Sequence, residues 1–107
     1  MPNGDDKNWV RFCVAVDGFR ARYGRWPTRV RMMDVCYADL IGHVLSPPGY
    51  ALVSTFVELV AEEDAAMIAD DGRGAEFNYG REEFPGNRPE PSCREFFGDA
   101  VLRRELG

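Results

Sequence analysis

Between Asp6 and Tyr23 the apolar residues Trp9, Phe12, Cys13, Val16, Phe19 and Tyr23 return every three or four positions. At about 100° per residue that spacing gathers them on one side of a helix. Asp5 or Asp6 stands where a capping carboxylate belongs, and Gly24 stands where a left-handed residue closes a helix. Gly18 costs about 1 kcal/mol relative to alanine in a helix interior, so it marks a close approach or a bend. After Gly24 the period changes. Pro27 pushes Trp26 out of the helical region, and alternation then sets Trp26, Thr28, Val30 and Met32 against Arg25, Pro27, Arg29 and Arg31. This predicts a strand with one core face and one arginine face.

Asp34 is placed to cap a second helix running to about Leu45, with Cys36, Tyr37, Leu40, Ile41, Val44 and Leu45 on one arc and Asp39 and His43 opposite. The segment SPPGY breaks it, and residues 47–55 read either as a helix begun by Ser46 and Pro47 or as a strand from Leu52. Residues 56–61, FVELVA, read as a strand on their β-branched content. The next strands form a hairpin about Asp71-Gly72, and with the strand before them they predict a three-stranded meander. From Gly80 the prolines Pro85, Pro89 and Pro91 among charges predict an exposed connector. Ser92 and Glu95 then form a capping box opening an amphipathic helix to Leu106, with Cys93, Phe96, Phe97, Ala100 and Val101 on one face. The expected architecture is α+β. A long N-terminal helix and a second helix pack on a small, mainly antiparallel sheet, and an amphipathic C-terminal helix rides on a Pro-rich tether. The expected organisation is a single α+β domain over 1–84, a Pro-rich connector over 85–91 and a C-terminal amphipathic helix over 92–107.

Composition narrows the class. The chain has 107 residues, 45% of them hydrophobic and 29% charged, which suits one globular domain. Neither a run of 18 apolar residues nor a charged segment feeding an apolar one occurs, so neither a membrane span nor a signal peptide is expected, and the expected location is cytoplasmic. Cys13, Cys36 and Cys93 are odd in number and lack metal-ligand spacing, which predicts reduced thiols rather than a disulfide framework or a zinc site. Charge is uneven: residues 1–33 balance at +4 and residues 34–107 at −9, making the chain's −5. That asymmetry suits an electrostatically paired fold or dimer, or a small basic face on an acidic body.

Candidate chemistry is sparse. Cys36, Asp39 and His43 are the residue types of a cysteine nucleophile site, but a surface Asp39–His43 pair on one helix explains the latter two. Neither GxGxxG nor GxxxxGK[ST] occurs, DDGRG lacks the alternating ligands of a calcium loop, and no cofactor is expected. Arg25, Arg29 and Arg31, joined by Arg22, could contact phosphates along a strand, or could pair with the acidic remainder of the chain or of a second subunit. The order strand, helix, helix over residues 26–60 resembles that of a ribbon-helix-helix DNA-binding module, as an analogy of pattern. The leading expectation is a small non-enzymatic protein-interaction or regulatory module that self-associates, its tail docking through Phe96, Phe97, Ala100 and Val101 either on its own core or on a second copy. A nucleic-acid-binding regulator using the arginine strand is the second, and a small hydrolase or nuclease the third.

Overall fold

The computed structural model describes residues 6–103. Helix α1 spans Lys7–Tyr23, and Gly24 closes it in the left-handed conformation at φ 73°. Asp6 occupies the N-cap position without a side-chain capping bond, and Asp5 lies outside the described residues. Trp9, Phe12, Val16 and Phe19 are fully buried, as the periodicity predicts. Gly18 marks a close approach: a Cβ there would stand 2.4 Å from the Phe77 ring.

Strand β1 covers Arg29–Met32. Alternation holds within it, with Val30 and Met32 fully buried and Arg29 and Arg31 half-buried. It does not reach back to Trp26. A bend at Thr28 leaves that residue exposed and buries Pro27, so the alternating frame starts three residues later than expected. Helix α2, Asp34–Asp39, begins one residue after its N-cap, Met33, so Asp34 contributes charge to the first turn rather than the capping bond. It runs into a π-helical turn, Leu40–Val44, closed by the Leu45 N–H to the Leu40 carbonyl at 2.8 Å. The wider turn rotates the apolar arc inward at its end, so Leu40, Val44 and Leu45 are buried while Ile41 stays at the margin. Residues 47–54 resolve as helix α3, Pro47–Ser54, capped by the Ser46 hydroxyl accepting from the Gly49 N–H at 3.0 Å.

Strands β2, Glu58–Ala61, β3, Ile68–Asp70, and β4, Glu76–Asn78, complete a four-stranded mixed sheet of order β2-β1-β3-β4. The β3–β4 hairpin forms as expected, with Gly72 at φ 72° in its loop. The three-stranded meander does not. β2 leaves β3 and pairs in parallel with β1 across the α2–α3 crossover, because a long helical connection returns the chain parallel to the strand it left. β1 therefore has a neighbour on each side, and the strand that a ribbon-helix-helix protein would pair with a second copy is interior here.

The register aligns Leu59, Val30, Ala69 and Phe77 across one face, where all are buried in the core with the helices. The opposite face carries Glu58, Arg29, Asp70 and Glu76 in one row and Val60, Arg31, Ile68 and Asn78 in the next. Among the described residues no helix is long and apolar enough to cross a membrane.

The tail is capped as its sequence predicts: the Ser92 hydroxyl accepts from the Glu95 N–H and the Glu95 carboxylate from the Ser92 N–H. The helix it opens is short. α4 covers Cys93–Phe97, stops at Gly98 with φ 72° and ψ 175°, and is followed by a 3-10 turn at Asp99–Val101. The remainder of the expected helix, to Leu106, passes outside the described residues after Arg103. Cys93, Phe97, Val101 and Leu102 belong to the same buried cluster as Trp9 and Phe12.

Candidate functional site

The arginines that the sequence places on one strand face reach their positions from three elements. Arg29 and Arg31 project from alternate positions of β1 onto the charged sheet face and share one buried carboxylate. Asp70, 3% exposed, takes Arg29 Nε on Oδ1 at 2.6 Å and Arg31 Nε on Oδ2 at 2.6 Å. Arg31 also reaches Glu62 at 2.5 Å and Glu76 at 3.4 Å. Burial opposes the Arg31 cation, but its bonds to Asp70 and Glu62 outweigh that and hold its pKa above the ordinary value. Arg25, in the loop after α1, pairs with Asp71 at 3.0 Å, and its guanidinium lies over the Phe19 and Tyr23 rings. Arg22, at the end of α1, pairs with Glu82 and covers the Phe77 ring. The Arg73 and Ala75 N–H groups also bond the Asp71 carboxylate, and the Arg73 bond leads in holding its pKa below the usual range. Every arginine of the set therefore faces a carboxylate from the acidic half of the chain, and the uneven charge of the sequence closes on itself at the hairpin.

Cys36, Asp39 and His43 do not gather into a nucleophile site. The Asp39 carboxylate accepts from the Asn8 amide at 2.8 Å, and His43 stands 3.7 Å from Asp39 with its side chain 80% exposed. Cys36 instead lines a recess of about 270 Å³ with Lys7, Asn8, Arg11, Val35 and Asp39. Among the described residues no group of His, Cys, Asp or Glu has the arrangement of a metal site.

The tail residues separate into two populations. Phe97 and Val101 turn into the core, whereas Phe96 is 43% exposed and Ala100 is exposed. Phe96 joins an aromatic cluster assembled from distant parts of the chain: Trp26 after α1, Phe56 after α3, and Phe96 and Phe97 in α4. Their ring centroids lie 5.0 Å apart for Phe56–Phe96, 5.1 Å for Trp26–Phe96 and 5.8 Å for Trp26–Phe56, mostly with tilted or edge-on planes. Phe56 and Phe96 are each 43% exposed, so the cluster reaches the surface as an apolar patch. Arg20 stacks on Trp26 at 4.6 Å from the ring centroid. Pro91, with Glu90 and Glu95, lines a shallow recess at the start of α4.

Two further residues, which the sequence reading passes over, hold the tail to α1. Asp17 Oδ1 accepts from the Cys93 N–H at 2.8 Å and from Arg20 at 3.2 Å, and Arg20 donates to the Pro91 carbonyl at 2.9 Å. Burial is the leading influence on Asp17 and raises its pKa, against the bonds from Cys93 and Arg20. The signal was present as a charged residue between Val16 and Phe19 on the face of α1 that Cys13 shares. No family profile, curated protein or solved structure matches this chain.

Proposed function

We propose that this chain is a non-enzymatic protein-interaction module of the cytoplasm that self-associates through the patch of Trp26, Phe56 and Phe96. The observation that carries the reading is the exposure of Phe56 and Phe96, each above 40%, with their rings packed edge-on in a single aromatic cluster. Each large apolar side chain left in water forgoes about 1.5–3 kcal/mol of burial free energy, and a contiguous patch of them concentrates that driving force on one surface. Arg94 and Glu95 immediately precede Phe96 in sequence, and Arg20 lies over the Trp26 ring, so both signs of charge stand beside the patch. An apolar centre with both charges around it is self-complementary across a two-fold axis, which favours a second copy as the occupant. Three unpaired thiols suit a reducing compartment.

Sedimentation equilibrium over a wide concentration range tests it. The native protein is expected to show a reversible increase from monomer to dimer mass, and Phe96→Ser to remain monomeric while still folded and unfolding cooperatively, at a modestly lower midpoint because its ring contacts are lost. A native protein that stays monomeric at the highest concentration, or a dimer indifferent to Phe96→Ser and Phe56→Ser, would overturn the reading.

A further inference from the structure

The two edges of the sheet are finished differently. On β4 the outward groups are occupied: the Tyr23 hydroxyl accepts from the Glu76 N–H at 3.4 Å and lies 3.3 Å from its carbonyl, which Arg22 also approaches at 3.5 Å. The Glu82 carboxylate takes the Asn78 N–H at 2.7 Å, and the Asn78 carbonyl accepts from the Arg81 and Glu82 N–H groups. A strand could add there only by displacing those side chains.

On β2 the Glu58 N–H bonds the Thr28 carbonyl at 3.0 Å and the Glu62 N–H bonds the Met32 carbonyl at 2.7 Å. Residues 58, 60 and 62 thus turn their main-chain groups to β1, and Leu59 and Ala61 turn theirs away from the sheet. Among the described residues none bonds these outward groups. Ala61, Glu62, Glu63 and Asp64 are exposed. Past the ends of β1 and β2 lies a recess of about 240 Å³ lined by Met33, Asp34, Val35, Glu63 and Asp64. Met33 is 42% and Val35 68% exposed, so the recess combines apolar side chains with three carboxylates.

We propose that β2 is the acceptor edge for an extended basic segment of a partner protein, which adds as a fifth strand along Leu59–Ala61 and seats a lysine or arginine in the recess. Main-chain bonding to an open edge supplies the register, and side chains at alternate positions supply the choice of partner. A long basic side chain fits because its methylene stem can lie on Met33 and Val35 while its charge meets Asp34, Glu63 and Asp64. A second copy of the chain fits poorly here. Two β2 strands laid side by side would bring Glu58, Glu62 and Glu63 of both copies together, and opposed like charges destabilise a strand pair. This edge is distinct from the aromatic patch and stands on its own observations.

The test uses a synthetic peptide alternating lysine with valine, a matched peptide alternating glutamate with valine, and the lysine peptide N-methylated on its bonding edge. Each is titrated into the whole chain, with hydrogen exchange of the Leu59 and Ala61 amides as the readout. The lysine peptide is expected to protect both amides. The glutamate and N-methylated peptides are expected to leave them unprotected, and Glu63→Gln to weaken the binding several-fold. Ala61→Pro removes one outward N–H from an edge strand while sparing the bonds to β1, and is expected to weaken it roughly tenfold. Should that variant unfold, the N-methylated peptide makes the same comparison on the native chain. Absence of protection by the lysine peptide at saturation, equal protection by the glutamate peptide, or protection without any peptide that rises with protein concentration would each overturn the proposal, the last by making a second copy the occupant.

Discussion

Asp17 shows how one side chain can join two distant segments. It is 5% exposed and joins α1 to the start of α4 through the Cys93 N–H, with Arg20 as counter-charge. Truncating it leaves a buried N–H without a partner and a mostly buried guanidinium without its charge, so Asp17→Ala should cost about 2–4 kcal/mol in denaturant unfolding. Its pH dependence has a definite sign. Burial raises the folded pKa above the unfolded one, so between the two values the native state holds more protons, and stability from this group falls as pH rises. The penalty is complete above the folded value and relieved as pH drops through it. Relative to Asp17→Asn, the native chain should therefore gain stability on acidification from neutrality through the carboxylate range. Glu95 has the opposite sign: the Ser92 N–H bonds its carboxylate and lowers its pKa, so its contribution is present above the unfolded value and lost as pH falls through the folded one. Unfolding curves for Asp17→Asn and Glu95→Gln against the native chain should change with pH in opposite directions; parallel changes would show that burial does not govern Asp17.

Among the elements, β1 links the charge pattern most directly to stability. Arg29→Gln with Arg31→Gln strips both cations from the buried Asp70 carboxylate, and breaking a buried pair from one side costs about 3–5 kcal/mol. Arg25→Gln removes a side chain that is itself half exposed, and its ion pair with Asp71 should be worth well under 1 kcal/mol. Nucleic-acid binding through these arginines would have to displace Asp70, Asp71, Glu62 and Glu82, so a titration at two salt concentrations should show none that replacing Arg25, Arg29 and Arg31 together with Gln abolishes. The features legible in the sequence are those set by neighbours along the chain: the apolar stripe and Gly24 stop of α1, the Val30/Met32 alternation, the Asp71-Gly72 hairpin and the Ser92/Glu95 box. The parallel pairing of β2 was not legible, because FVELVA suits either neighbour and only the α2–α3 crossover decides between them. Gly98 ends α4, but the apolar spacing of Ala100 and Val101 continues the helical pattern past it, so that stop was not legible in the sequence. The aromatic patch was half legible, since Phe96 and Phe97 stand out together whereas Trp26 and Phe56 join them only through the tertiary fold.

For the whole molecule, the tail belongs to the same core as α1. Val101 presents its carbonyl to the Ser46 N–H at 2.9 Å and to the Ser46 hydroxyl at 3.2 Å, and Leu102 forms an antiparallel bridge with Leu45. Gly49 lets α3 approach this closely, since a Cβ there would stand 2.1 Å from the Val101 carbonyl oxygen. The tail therefore has two separable parts: Phe97, Val101 and Leu102 complete the core in cis, and Phe96 remains partly exposed at the surface. Truncation after Pro91 removes four buried apolar side chains, Cys93, Phe97, Val101 and Leu102. At about 1.5–3 kcal/mol for each of the three larger ones, the loss approaches the roughly 5–15 kcal/mol that holds a domain of this size together. The truncated chain should unfold at a much lower midpoint and expose core surface to a hydrophobic dye, so its mass alone says nothing of docking in trans. Gly49→Ala isolates the cis contact, because it pushes on the Val101 carbonyl without touching Phe96; it should lower the midpoint while a dimer, once folded, keeps its affinity. A truncated chain with the native midpoint would show that the tail adds nothing to the core, and Gly49→Ala without effect would show that Val101 does not sit against α3.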